Sequence, residues 1–264
     1  MEWWWAYLVI GMTVGFLAGL FGIGGGMIMV PMLVFVFTAK GFPPEHMMHL
    51  SLATSMATIV FTSLSSVRAH HGHGAVDWKV AFAMAPGIVA GALATTLVAG
   101  YVPTRPLAIF FTAFMFYAAM QMFFEVKPKP SRQLPGAAGL FGAGAAIGGV
   151  SSVLAAGGAF LSIPFLTWCN LPLKRAIGTA AANGFPIAVA GTAGYVLNGM
   201  RVSGLPAGCL GFVYLPALAI VVAASMPLAP LGARFAHRLP VKRLRIVFAL
   251  MLLGLGLRML ANLW

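Results

Sequence analysis

Two short glycine stretches are where this sequence could do chemistry. The first is Gly24-Gly25-Gly26 and the second Gly157-Gly158-Ala159. Each opens a run able to form a helix, and each is followed by a proline, Pro31 or Pro164. Such a helix start presents free backbone N–H groups at the positive end of the helix dipole, which suits an anion. The competing use is close helix packing, since small residues line many membrane interfaces. Consecutive glycines, a following proline and an approximate duplication favour ligand-facing tips. Thr54, Ser55, Thr179 and Asn183 stand near the starts of the apolar stretches that follow, where hydroxyls and an amide could complete an anion cage. Bonding back to their own helix or to a neighbour is the alternative for all four. Ser151 and Ser152 precede the second tip and carry less weight.

Other reactive residues offer less. His70-His71-Gly72-His73 brings three imidazoles together and raises the possibility of a metal. It is expected in a solvated loop, with Asp77 the nearest carboxylate. Cys169 and Cys209 lie far apart among apolar residues, with no zinc spacing between them. The four acids, Glu2, Glu45, Asp77 and Glu125, fall at segment ends or in connections, so no carboxylate relay is expected inside a span. Walker, HExxH and GxSxG patterns are absent, so neither an enzyme nor a cofactor is expected.

The elements that must carry the tips are set by composition. Hydrophobic residues make up 61% of the 264 and charged residues 8%, with mean hydropathy +0.96. Soluble domains carry about 25% charged residues. Runs such as 80–102 and 106–124 match the ~20 residues a helix needs to cross a bilayer core. The solvent is therefore lipid. Met1-Glu2-Trp3-Trp4-Trp5 lacks the basic start of a signal peptide and reads as an interfacial tryptophan anchor.

The chain also repeats once. Gly15, Gly25 and Pro31 match Gly148, Gly158 and Pro164 at one offset. Residues 51–55 parallel 176–180, and Val102-Pro103 parallels Leu239-Pro240. The expected organisation is a first membrane repeat at 1–126, a cytoplasmic linker at 127–135 and a second repeat at 136–264. Each repeat reads as four apolar segments, roughly 3–38, 50–67, 79–101 and 106–124, then 136–169, 175–199, 206–234 and 243–262. The first of each is too long for one ordinary helix and is broken by glycine. It is either one broken crossing or a hairpin returning to its own side.

The 16 lysines and arginines discriminate between those two forms. Single crossings divide them seven against nine. Hairpins divide them twelve against four, leaving only Lys40, Arg105, Arg201 and Arg258 on the poorer side. Only the second division obeys the positive-inside rule. It also makes the number of crossings in each repeat odd, so the repeats insert upside down relative to each other, as in many secondary transporters. The expected fold is an all-α integral membrane protein of two inverted repeats. Each repeat has a glycine-broken re-entrant or hairpin segment plus three transmembrane helices. Both termini are expected to be periplasmic.

The stretch from Gly15 to Gly26, ending in Val30-Pro31, resembles the TauE/SafE sulfite exporter family. Ala53-Thr54-Ser55, Gly157-Gly158, Ile163-Pro164 and 176–179 are similar to its pattern, and the resemblance covers nearly the whole chain. Ala156, Ala159 and Ala180 depart from it. The resemblance implies movement of sulfite, sulfonates or related sulfur-containing anions across a bacterial inner membrane.

Residues and resemblance converge on a transporter of small anions. The expected partners are the anion and the lipid bilayer, with a homodimer left open and nucleic acid not expected despite the net charge of +12. The alternatives are a transition-metal permease using the His70–His73 stretch, and a non-transporting membrane scaffold.

Overall fold

The computed structural model describes residues 3–21, 25–124, 131–236 and 241–261. Its helices in chain order are α1 (Trp4–Phe21), α2 (Gly26–Ala39), α3 (Met47–Gly72), α4 (Trp78–Ala99) and α5 (Thr104–Phe123). There follow α6 (Ala137–Val153), α7 (Ala159–Trp168), α8 (Leu173–Gly199), α9 (Leu215–Ala236) and α10 (Val241–Ala261). Among the described residues α3, α4, α5 and α8 are long and apolar enough to span a membrane. Large side chains such as Phe82, Phe110 and Tyr117 are exposed on the outside, where lipid is the compatible solvent.

Both glycine-broken segments fold back as hairpins. At the second, the Trp168 carbonyl at the end of α7 accepts from the N–H groups of Ser131 and Arg132, each at 3.2 Å. Trp168 Nε1 donates to Ser131 Oγ at 2.7 Å, and the Arg132 guanidinium lies 4.8 Å over the indole. The end of α7 therefore meets the chain that leads into α6. At the first, Tyr7 near the start of α1 sets its ring edge-on to Phe37 near the end of α2, 6.4 Å between centroids.

Packing between the halves is reciprocal. Helix α1 lies on α9 and α6 lies on α4, while α3 pairs with α8 and α5 with α10. The same small residues permit both crossings. A Cβ on Gly11 or Gly15 would collide with the backbone of Val221 or Ser225, and one on Gly144 or Gly148 with that of Met84 or Ile88. Close backbone approach of this kind replaces the hydrophobic drive that lipid cannot supply.

The halves differ by whole helical turns. Gly158 follows Gly25 by 133 positions, Asn170 follows Gly41 by 129, and Thr179 follows Thr54 by 125. The first step of four arises because α7 has 10 residues where α2 has 14. The second falls at the 3₁₀ turn Pro44–His46, which the shorter connection between α7 and α8 lacks. The caps on either side still coincide. Gly41 (φ 71°) and Asn170 (φ 67°) are both left-handed, and Thr38 and Thr167 both bond back to the carbonyl four residues earlier, at 2.7 and 2.8 Å.

Two expectations need correction. The apolar stretch from 206 does not enter a helix at once. Cys209–Leu210 (β1) and Val213–Tyr214 (β2) form an antiparallel ribbon, and α9 begins only at Leu215, so the fold is helical with one small exception. Gly208 (φ 88°) and Gly211 (φ 55°) supply the turns. His70 and His71 are in the last turn of α3 rather than in a loop, and Gly74 (φ 60°) follows that helix end.

Candidate functional site

The two tips share one backbone design. Gly25 (φ 67°) and Gly158 (φ 78°) are left-handed N-caps of α2 and α7, a conformation that costs glycine nothing sterically. The Gly25 carbonyl closes the first turn by accepting from Ile28 and Met29 at 3.2 and 3.1 Å. The Gly158 carbonyl does the same for Leu161 and Ser162 at 3.2 and 2.8 Å. The N–H groups ahead of those turns belong to the part of a helix that has no intrahelical acceptor. Gly24 lies outside the described residues.

The tips also meet. A Cβ on Gly26 would overlap the carbonyl of Ala155, in the loop just before Gly158. Ala155 itself holds φ 44°, unusual for a residue with a side chain. Helix α3 backs the first tip, with Ser55 Oγ 3.4 Å from the Gly26 carbonyl and Ile59 against Gly26. Helix α8 backs the second, with Gly184 against the Gly157 carbonyl and Ile187 against Gly158. The start of one helix thus touches the loop before the other, and each tip is seated on the long helix of its own half.

The two threonines have a different engagement. Thr54 Oγ1 accepts from the N–H of Tyr214 at 3.0 Å, and Thr179 Oγ1 accepts from the N–H of Asp77 at 2.9 Å. Tyr214 and Asp77 immediately precede α9 and α4 and hold matching places, 137 positions apart. Each threonine thus ties the long helix of one half to the start of a helix in the other. Both bonds leave the hydroxyl proton free to donate elsewhere.

The surroundings of these two bonds are chemically unlike. Beside Tyr214, Lys40 Nζ donates to the Tyr214 hydroxyl at 2.9 Å and faces the rings of Tyr214, Phe42 and Tyr7 at 4.8, 5.0 and 5.7 Å. Burial pushes the neighbouring Cys209 thiol up to about 11 although Lys40 pulls it down. At the other bond, Asp77 Oδ1 caps α4 by accepting from the Val80 N–H at 3.3 Å. Its Oδ2 lies 3.7 Å from Nη1 of the exposed Arg175, a pair partly open to solvent.

Asn183 is fully buried on α8. Its Nδ2 reaches only the Met84 sulfur, at 3.6 Å, and its Oδ1 has no hydrogen-bond partner among the described residues. Ser162 and Ser151 are also buried with unpartnered hydroxyls, and sequence reasoning gave neither a leading role. The signal was available for Ser162. It stands four residues after Gly158, where a helical side chain leans back over its own N-terminus.

The remaining features point away from the tips. A groove of about 290 Å³ is lined by Trp5, Val9, Phe35, Leu255 and Arg258 among others, on the outer face of α1, α2 and α10. Its apolar walls suit acyl chains better than an anion, so the tips remain the candidate site. His71 Nδ1 is 3.1 Å from the indole N–H of Trp78, and the described residues contain no group of three metal-ligating side chains.

A helical, lipid-solvated chain with paired glycine-capped hairpins belongs to the polytopic membrane proteins, and comparison with known sequences says which. The family model for the sulfite exporter TauE/SafE matches residues 7–259, and the chain belongs to that family. It is 34% identical over 254 residues to a probable membrane transporter protein of Haemophilus influenzae, covering 96% of both chains. It is 25% identical to a probable membrane transporter protein of Methanocaldococcus jannaschii, covering 96% of this chain and 94% of the relative. No solved structure matches it. The protein is therefore a multi-pass membrane transporter.

Proposed function

We propose that this transporter carries small anions, specifically sulfite, a sulfonate or another sulfur-containing oxyanion, bound between the two hairpin tips. The observation that carries the proposal is the contact of Gly26 with the Ala155 carbonyl, which brings the start of α2 against the loop that leads into α7. The tips supply the N–H donors and dipole ends that an oxyanion requires. Depth supports the reading. Ten residues of α7 rise about 15 Å, half of a bilayer core of ~30 Å, a length that suits a tip at the midplane.

The halves are proposed to be inverted in the membrane. The twelve-to-four division of basic residues supports this, as does the hairpin form of both broken segments. Both termini then face the periplasm of an inner-membrane protein, and 127–135 is a cytoplasmic linker. The direct contact of the tips is read as a closed form, in which the tips must part to admit the anion.

A flux screen in proteoliposomes with sulfite, thiosulfate, sulfate, taurine and sulfoacetate tests the substrate class. Saturable flux of at least one sulfur oxyanion is expected. Flux of none, in protein shown to be folded and inserted, removes the proposal. Labelling of a Lys129→Cys variant from the periplasmic side would overturn the orientation.

A further inference from the structure

We propose that the second tip alone receives the oxygens of the substrate, through the hydroxyls of Ser162 and Ser151, and that it selects monoanions over dianions. This rests on the reading of the tips as an oxyanion site. The support is one buried hydroxyl that overhangs the helix start and two further buried polar residues, Ser151 and Asn183, on the elements that border the tip loop. Ser162 is fully buried in the first turn of α7, and its Oγ lies 3.6 Å from where a Cβ on Gly158 would stand, so it overhangs the tip. Asn183 adjoins Gly184, which packs on the Gly157 carbonyl. Ser151 is in the last turn of α6, and its carbonyl accepts the Ala156 N–H at 3.1 Å, which ties it to the tip loop. Ser162 Oγ, Ser151 Oγ and Asn183 Oδ1 have no hydrogen-bond partner among the described residues.

The first tip shows the contrast. Ala18 and Met29 hold the places of Ser151 and Ser162. Thr58 holds the place of Asn183, and its hydroxyl is spent on the Thr54 carbonyl at 2.9 Å. At the second tip the hydroxyls of Ser162 and Ser151 are unused, whereas at the first the hydroxyls of Ser55 and Thr58 are already spent on backbone carbonyls. Buried hydroxyls without partners are costly, and two of them, at a helix start and on an element bordering its loop, suit a hydrogen-bonding anion site.

Charge selection follows from what the helices carry. Their described lysines and arginines stand near helix ends, such as Lys79, Lys174, Arg175 and Arg258. The tip offers a helix dipole, equivalent to roughly half a charge, and neutral hydroxyls. The cost of removing an ion from water grows with the square of its charge, so a dianion loses far more on entering than such a site returns. The fitting ligand is a small monoanionic oxyanion with three oxygens, such as hydrogensulfite or an alkyl sulfonate.

The test uses the full chain in proteoliposomes, with sulfite, methanesulfonate and sulfate as probes. Ser162→Ala and Ser151→Ala should each raise the KM for methanesulfonate by roughly 10–100-fold, the loss of one hydrogen bond to a charged ligand. Met29→Leu and Thr58→Val, at the matching places of the first tip, should stay within about three-fold, below the roughly ten-fold expected for one such bond. Wild type should prefer methanesulfonate to sulfate by at least about ten-fold in KM, for the desolvation reason above. If Ser162→Ala is not inserted, Ser162→Cys keeps the shape with a weaker donor, and Ser151→Ala carries the same comparison. Wild-type flux with unchanged KM in both serine variants overturns the inference while leaving anion transport standing. Equal effects at the two tips, or equal affinity for sulfate and methanesulfonate, overturn it as well. Absence of wild-type flux for every anion overturns the transport reading first and this one with it.

Discussion

Gly25 and Gly158 adopt nearly the same dihedral angles, begin helices of different length, and are surrounded by different chemistry. The first tip is wedged against Val14 and Ala18 of its own hairpin and against the Ala155 carbonyl of the other. The second has the Ser162 hydroxyl overhanging it and its loop tied to the Ser151 carbonyl. The same contrast recurs at the threonines, where Thr54 ends beside the aromatic cage of Lys40 and Thr179 beside a partly exposed ion pair. The two tips share backbone geometry and differ in the side chains around it. Function in this molecule is therefore to be sought in the differences between the halves, and stability in their likeness.

The largest expected effect breaks the shared geometry. Gly26→Val drives a branched side chain into the Ala155 carbonyl, a backbone atom that cannot swing aside. Flux should fall to background while membrane insertion persists, and wild-type flux would show the tip contact to be incidental. Gly25→Val adds a left-handed strain of about 1–3 kcal/mol to a milder collision with the Val14 and Ala18 side chains, and flux should again fall sharply.

Next come the threonines. Thr54→Val strips the acceptor from a fully buried N–H and should cost about 1–3 kcal/mol. Thr179→Val acts on a part-buried N–H that water can reach, so about 1 kcal/mol or less is expected. Thermal unfolding in detergent gives the order, with serine replacements restoring both. The reverse order would mean that burial does not set the strength of these ties.

A smaller effect separates the surroundings of the two threonine bonds. Asp77→Asn keeps an N-capping oxygen and loses only the Arg175 pair, so stability should change by less than about 1 kcal/mol and flux should persist. Persistence across amide replacements of Glu2, Glu45, Asp77 and Glu125 would agree with transport that needs no carboxylate proton carrier. Loss of pH-driven flux in any one of them would identify such a carrier.

The smallest effect is expected at Gly41. Its counterpart Asn170 already holds the same left-handed cap with a side chain, and nothing lies near a Cβ at Gly41. Gly41→Asn should change stability by no more than about 0.5 kcal/mol, because asparagine tolerates this region better than other residues with a side chain.

Much of the fold is legible in the residues. Glycine pairs followed by proline announce the broken segments, and the distribution of lysine and arginine favours hairpins before any contact is known. The ribbon at 209–214 is invisible to the same reasoning. Its residues are as apolar as the helix that follows, and only the positive φ of Gly208 and Gly211 separates them. Side-chain roles were harder. Thr54 and Thr179 read as cage members, and the backbone amides they accept from belong to the other half, across a separation no local pattern reports. Ser162 was hidden because it aligns with Met29, and a repeat directs attention to what matches.

The step of four residues by which α7 falls short of α2 has a consequence for how such proteins can change. Four residues advance a helix by about 400°, a net rotation of only about 40°, whereas two advance it by about 200°. A deletion of four therefore moves a tip along the membrane normal without turning its side chains to a different neighbour. A deletion of two would present the wrong face and be lost. Insertions and deletions are in this way filtered by phase, and the depth of a tip can drift across descendants independently of the residues that line it.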